Sequence, residues 1–186
     1  MEMDTEFSAP QIAAQPGKYL SFMLANEVYA VEVRRVREII GLIPITAVPR
    51  TPPFIKGVIN LRGKIIPVVD LRAKLEMEAL EYTRETCIVI VEVTASAGAI
   101  NIGVIVDMMC EVFDVGLNDL EEVPSFGIRV DTSFLLGMAR GKAGVKLLLD
   151  IERVLSQEEL ATTETVKESA ESDAPAIEDQ MDDPVK

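Results

Sequence analysis

Catalysis needs particular side chains at particular spacings, and most of the usual ones are missing from this 186-residue chain. There is no histidine, which removes the commonest general base and the commonest metal ligand. Cys87 and Cys110 lie in apolar runs without a CxxC or another metal-type spacing. They are expected to be small buried hydrophobes in a reducing cytosol, since a catalytic cysteine would lack its basic partner. Gly137-Met138-Ala139-Arg140-Gly141-Lys142-Ala143 has the outline of a phosphate-binding loop. It is one residue short between the glycines, Ala143 stands where a magnesium-binding hydroxyl belongs, and strands flank it, so a hairpin turn is expected. Glu121 and Glu122, after Asp119, are expected in a first helical turn, complementing the helix dipole and facing solvent. Met108, Met109 and Met138 fit core filling better than a cofactor site. No catalytic residue, metal site or cofactor is therefore assigned.

One stretch stands out: Pro53-Phe54-Ile55-Lys56-Gly57-Val58-Ile59-Asn60-Leu61-Arg62-Gly63-Lys64-Ile65-Ile66-Pro67-Val68-Val69-Asp70-Leu71-Arg72. It reads as a strand, a tight Arg-Gly-Lys turn and a returning strand. Gly57 and Gly63 stand where positive φ or close backbone approach is useful. Pro67 demotes the returning strand to an edge or a bulge. Arg62 at the turn offers a planar, five-donor fork suited to a partner's carboxylate or backbone carbonyls, or remains an ordinary solvated turn residue.

The elements that must position this hairpin have a dominant period of two. Residues 18–24 and 28–31 flank Ala25-Asn26-Glu27 as a hairpin, and residues 33–39 read as a helical turn or strand entry. Further strands are expected over 58–61, 64–70, 86–93, 100–106, 110–115, 134–139 and 145–149. Pro44, Pro49, Pro52 and Pro53 exclude a helix between them. Short helices are expected over 71–77, 118–123 under an Asn cap, and 151–160. The chain is thus all-β. A pattern beginning Ala30-Val31 recurs later as Gly103-Val104, and includes Val36/Met109, Glu38/Glu111 and Ile39/Val112. In the same order and at nearly the same offset, Arg62-Gly63-Lys64 recurs as Arg140-Gly141-Lys142, and Asp70-Leu71 as Asp150-Ile151. The shared order points to two similar small barrels from a duplication.

The net charge of -13 is concentrated at the ends. Of 31 acids, three precede Lys18 and ten follow Ser156, while two of the 18 bases follow Ser156. Residues 18–156 are left with 18 acids and 16 bases, a near-neutral body. Residues 1–17 are expected to be a flexible segment, and residues 161–186 a disordered acidic tail, because they cannot bury enough surface to offset ordering entropy. A nucleic-acid-binding barrel is disfavoured by the absence of a basic-aromatic face. An enzyme or ligand carrier is disfavoured by the missing histidine. The N-terminus lacks the features of a secretory signal, and no run is long enough to cross a bilayer, so a soluble, cytoplasmic protein is expected.

The Pro53–Arg72 stretch resembles the signature of the CheW family, the chemotaxis coupling proteins, and the resemblance runs from about Lys18 to Glu159. It includes the opening hairpin, Val36-x-Glu38-Ile39, Ile102-Gly103-x-x-Val106-Asp107 and Leu148-Leu149-Asp150-Ile151. The resemblance implies two five-stranded, SH3-like barrels over residues 18–160, with lobes near 18–82 and 83–155 whose strands can exchange. It also implies a non-catalytic adaptor without cofactor. Its partners would be the cytoplasmic tip of a chemoreceptor and the regulatory domain of a CheA-type histidine kinase, in arrays at the inner face of the membrane. With no kinase signature and no receiver domain, the stand-alone coupling protein fits best; a chemosensory pathway with an output other than flagellar movement is the alternative. Val36, Glu38, Ile39, Arg62 and Val112 are assigned to a receptor groove by this resemblance. Lys56, Gly57, Val58, Asn60 and Gly63 are assigned to a neighbouring surface for kinase or receptor. Plain core packing suits Val36, Ile39 and Val112 equally well, and Glu38 is free to pair with Arg62 inside the protein.

Overall fold

A computed structural model describes residues 13–124 and 131–173. Among these residues eleven strands form two sheets: β1 Gly17–Leu24, β2 Glu27–Glu32, β3 Val36–Gly41, β4 Ile55–Leu61, β5 Lys64–Asp70, β6 Cys87–Ala95, β7 Gly98–Val106, β8 Met108–Val115, β9 Leu120–Glu121, β10 Leu135–Gly141 and β11 Gly144–Leu149. The first lobe is a six-stranded sheet in the order β8-β1-β2-β11-β10-β9, and the second a five-stranded sheet in the order β3-β6-β7-β5-β4. The all-β architecture of two lobes expected above is the one observed, except that the first lobe has six strands and not five, because the two-residue β9 adds to its edge beside β10.

The division between lobes is not at residue 82. Residues 36–106 form the second lobe without interruption, and the first lobe combines residues 17–32 with 108–121 and 135–149. The repeated halves have exchanged hairpins: β1-β2 pairs with β8 and β11, while β6-β7 pairs with β3 and β5. The duplication is visible in detail. Each unit has a bulge, between Ile55 and Gly57 in one and between Leu135 and Gly137 in the other. Asp70 and Asp150 each donate their backbone N–H to a phenylalanine carbonyl, Phe54 or Phe134, at 2.8 Å. Each aspartate then caps a one-turn helix with its side chain, α1 Leu71–Lys74 or α2 Ile151–Val154. Strand register shifts one repeat, however. Leu61 faces Lys64 and Gly141 faces Gly144, so the turn residues Arg62-Gly63 correspond to Lys142-Ala143, and Arg140 lies within β10.

Alternation explains the long apolar runs. In β6, Ile88 and Ile90 point into the second barrel, while Val89, Val91 and Val93 point into a layer between the lobes. In β1, Leu20, Phe22 and Leu24 join that layer, and Tyr19 enters the core of the first lobe. The central strands are therefore buried on both faces, which leaves few positions for polar residues.

Several local expectations are revised. Residues 118–123 are not a helix: a 3-10 turn, Leu117–Asp119, leads into β9, because Leu120 is buried in the first lobe and faces Ala139 across the ladder. Glu121 consequently lies in a strand and pairs with Arg140. The 151–160 helix breaks at Leu155-Ser156, where a Ser156–Glu159 capping box starts α3, Gln157–Ser172. Residues 161–172, expected without structure, continue that helix, with Leu160, Thr163 and Val166 buried in a stripe against β4, β5 and β6. The rest of the tail lies outside the described residues. Near the N-terminus, Ala14 is buried and bonds the Leu136 carbonyl, so order begins before Lys18. Cys87 is buried as expected; Cys110 is exposed, on the irregular stretch of β8 where the register with β1 slips.

Arg72 and Asp107 form an ion pair between the lobes. Arg72 of α1 donates from Nε and Nη2 to Asp107 at 2.6 and 2.5 Å and from Nη1 to the Glu78 carbonyl at 2.9 Å. Asp107 also accepts the Ala25 N–H at 3.0 Å. Burial pushes the Asp107 carboxyl up, but the Arg72 and Ala25 bonds outweigh it and hold it below the usual range.

Ile102 is fully buried in the interlobe layer, so Ile102→Ala should cost about 2–5 kcal/mol in urea unfolding. Val145→Ala, at a side chain 48% exposed, should change stability by no more than about 0.5 kcal/mol. The depressed Asp107 stabilises the native state fully above its unfolded pKa of about 3.9, and that contribution disappears as pH falls through the lower native value. Asp107→Asn should therefore flatten the acid-side loss of stability in a pH series of urea titrations.

Candidate partner-binding surface

The signature hairpin β4-β5 turns through Arg62 and Gly63, with φ of 53° and 81°. Two consecutive left-handed residues make the turn type that matches strand twist, and Gly63 takes its place there without a Cβ clash. The Asn60 side chain accepts the Gly63 N–H at 2.8 Å and braces the turn. Arg62 has no such conformational excuse, because a side chain in this region is strained. Its guanidinium reaches Glu38 on β3, with contacts of 2.9 and 2.5 Å. Those bonds push the Arg62 guanidinium pKa further up. Since β3 and β4 are the two end strands of the sheet, the pair spans from one edge of the second lobe to the other. The Arg62 side chain stays 75% exposed, so the fork remains presented to solvent.

The other assigned residues separate into two kinds. Gly57 is buried, with φ of 137°, and a Cβ there would lie 1.9 Å from the Thr46 carbonyl oxygen. That close approach lets Thr46 and Val58 exchange two backbone hydrogen bonds of 2.9 Å, seating the proline-rich segment against β4. Val58 is buried opposite Pro67. Gly57 and Val58 thus shape the surface from beneath, while Lys56, Asn60 and Gly63 are exposed upon it. Lys56 sits 3.9 Å from Asp70.

Ile39 and Val112 are exposed, at 43% and 54%. They occupy equivalent positions of the duplicated units, on β3 and β8, and each of those strands is the end strand of its own sheet. Val36 differs, being half-buried against the interlobe layer, as is its counterpart Met109. Glu38 and Arg62 are brought together; Val112 lies in the other lobe, opposite Leu20.

The sequence reading missed a matching device in the first lobe. Glu111, beside Val112, pairs with Lys146 at 2.8 Å, and the Lys146 ammonium lies 3.8 Å over the Phe113 ring. Glu38/Glu111 is itself part of the internal repeat, so the signal lay in extending the Glu38–Arg62 pairing to the second copy. Each lobe therefore offers an exposed β-branched residue next to an ion-paired glutamate on an edge strand. An edge strand with such a combination offers unpaired backbone, apolar area and directional charge to a docking chain. Among the described residues no group of three or more acidic or cysteine side chains is placed to hold a metal ion. No helix among them is long and apolar enough to cross a membrane.

Two sheet lobes from one duplicated unit, distinguished by their edges and turns, define a module of the CheW-like class, and residues 18–159 match the family described as CheW-like domain. The chain belongs to the CheW family, a family of chemotaxis scaffold proteins. It is 34% identical over 152 residues to the chemotaxis protein CheW of Klebsiella aerogenes, covering 82% of this chain and 89% of that one. It is 38% identical over 115 residues to the CheW of Bacillus subtilis, covering 62% and 70%. The crystal structure of the scaffolding protein TtCheW from Thermoanaerobacter tengcongensis superposes with a TM-score of 0.68 at 33% identity, covering 78% of this chain and 97% of that one.

Gly57→Ala should destabilise the fold by about 1–3 kcal/mol from backbone strain alone, with the Thr46 clash added. Arg62→Ala should leave the thermal midpoint nearly unchanged, because its pair is solvent-exposed. Differential scanning calorimetry of the two variants side by side checks both.

Proposed function

We propose that this chain is a non-catalytic coupling scaffold. It holds the cytoplasmic tip of a chemoreceptor and the regulatory domain of a CheA-type histidine kinase in register, in arrays at the inner face of the membrane. The observation that carries the reading is the duplicated edge-strand device, Ile39 with Glu38–Arg62 in one lobe and Val112 with Glu111–Lys146 in the other. A helical hairpin lying across both lobes would bury the two β-branched side chains and meet the charged fork of Arg62 at the polar edge. Lys56, Asn60 and Gly63 belong to the adjoining surface, beside the turn, where the kinase domain or the receptor docks. Membership of the CheW family supports the scaffold role. No cofactor enters the mechanism. Coupling is a free-energy linkage: a receptor state that changes these contacts changes the population of active kinase.

Co-sedimentation with a receptor signalling fragment and a CheA-type kinase, read out as kinase activity, tests this directly. Ile39→Asp and Val112→Asp should each reduce recruitment and kinase activation, and Arg62→Ala should weaken receptor association while the protein stays folded. Unchanged receptor binding by calorimetric titration in all three variants would overturn the assignment of this surface.

A further inference from the structure

The polypeptide passes from one sheet to the other at two places, residues 33–35 from β2 to β3 and residue 107 from β7 to β8. Each crossing carries the same construction: a carboxylate that takes an arginine from one side and a backbone N–H from the other lobe. At the second crossing Asp107 accepts Arg72 of the second-lobe helix α1 and the Ala25 N–H of the first-lobe hairpin, while its own N–H donates to the Met23 carbonyl at 3.1 Å. At the first crossing Glu152 of α2, the helix that follows first-lobe strand β11 and packs against β6, pairs with Arg35 at 2.9 Å. Glu152 also accepts the Thr94 N–H and hydroxyl of the second-lobe hairpin at 3.3 and 2.8 Å. Arg72 and Glu152 are equivalent positions, each the second residue after its capping aspartate, Asp70 or Asp150. The helix position is thus kept while its charge changes sign, and the crossing supplies the opposite charge from a neighbouring position, Arg35 standing one residue after Arg34, the counterpart of Asp107.

Apolar contact is non-directional, so the interlobe layer specifies that the lobes pack and leaves their relative rotation weakly determined. Arginine–carboxylate pairs are directional, most of all when bidentate, as Arg72–Asp107 is; Arg35–Glu152 makes a single Nη1–Oε1 contact. Each crossing leads directly into an edge strand with a candidate contact residue: 33–35 into β3 with Ile39, and 107 into β8 with Val112. We propose that Arg72–Asp107 and Arg35–Glu152 are positioning pairs that set the angle between the lobes, and so the spacing of Ile39 and Val112 presented to one receptor hairpin. The link to binding rests on the function proposed above; the link to lobe angle does not. Arg35–Glu152 is the more accessible pair, with side chains 30% and 32% exposed, and the Arg72 side chain is nearly enclosed at 9%.

The test places one spin label on native Cys110, which is exposed on β8, and a second on a cysteine replacing exposed Lys64 in the other lobe. Double electron–electron resonance then reads the distance between lobes without any partner present. Asp107→Asn and Arg35→Gln should each shift or broaden the distribution, Arg72→Lys should do so less than Arg72→Gln, and the double variant Asp107→Asn with Arg35→Gln should do so most. Arg37→Gln removes a pair of 2.6 Å within one lobe and should leave the distribution as it is. In unlabelled protein, Asp107→Asn and Arg35→Gln should bind a receptor signalling fragment about fivefold or more weakly, and Arg37→Gln should bind normally. Arg35→Gln touches a partly exposed side chain and keeps the test open if Arg72→Gln does not fold. An unchanged distribution in folded Asp107→Asn and Arg35→Gln would overturn the positioning role. A moved distribution with unchanged receptor affinity would overturn its link to binding and count against the proposed receptor surface.

Discussion

Everything in this molecule depends on one apolar layer between two sheets, which each lobe needs to complete its own burial. Phe22 and Leu24 from one hairpin, Val91 and Val93 from the other, and Leu149, Val154 and Leu160 from the C-terminal end share it. Because the hairpins are apolar on both faces, neither lobe exposes a stable surface when separated from its neighbour. The layer forces chemistry outward: side chains that can contact a partner are confined to edge strands, turns and crossings. That confinement explains why the distinguishing features are Arg62 on a strained turn, Ile39 and Val112 on sheet edges, and ion pairs at the two crossings.

On the proposed function, the duplicated architecture presents a docking partner with two similar halves. Glu38–Arg62 and Glu111–Lys146 tie equivalent strands, yet they use different cations from different elements. One arginine reaches across from a turn; one lysine lies over an aromatic ring within the sheet. A partner seated across both lobes would therefore meet similar apolar contacts and dissimilar charged ones, enough to orient an asymmetric ligand on a nearly symmetric frame.

Much of the fold was legible in the sequence because strand alternation and turn residues are local signals. The signature hairpin, the opening hairpin and the aspartates that begin α1 and α2 were all in the pattern. The exchange of hairpins was not, since a strand apolar on both faces does not say which sheet it joins. At Asn118 a good helix cap lost to the burial of Leu120, a tertiary effect that propensity does not contain. Beyond Ala161 the acidic composition hid the regular spacing of Leu160, Thr163 and Val166, which is enough to seat a helix. Arg72 and Asp107 are far apart in the chain, and nothing local to either one announces the other. The candidate surface was half legible: the exposed residues followed from the motif, but Gly57 and Val58 proved to act from below, through the Thr46 contact.

The uninterrupted run of the second lobe bears on how the chain assembles as it is synthesised. Strands β3 to β7 leave the ribosome in sequence and contain all the pairing partners of their own sheet. Strand β1 must wait for β8, where Lys18 faces Asp114 from the far side of the whole second lobe. During that wait the opening hairpin has two apolar faces and no finished sheet to join. Hairpins held in this state are where wrong pairing begins, so the second lobe acts as the template on which the first is closed. The uninterrupted second lobe thus bears on assembly as well as on shape, because the sheet that is complete in sequence can pair before the strands of the divided one have all been made.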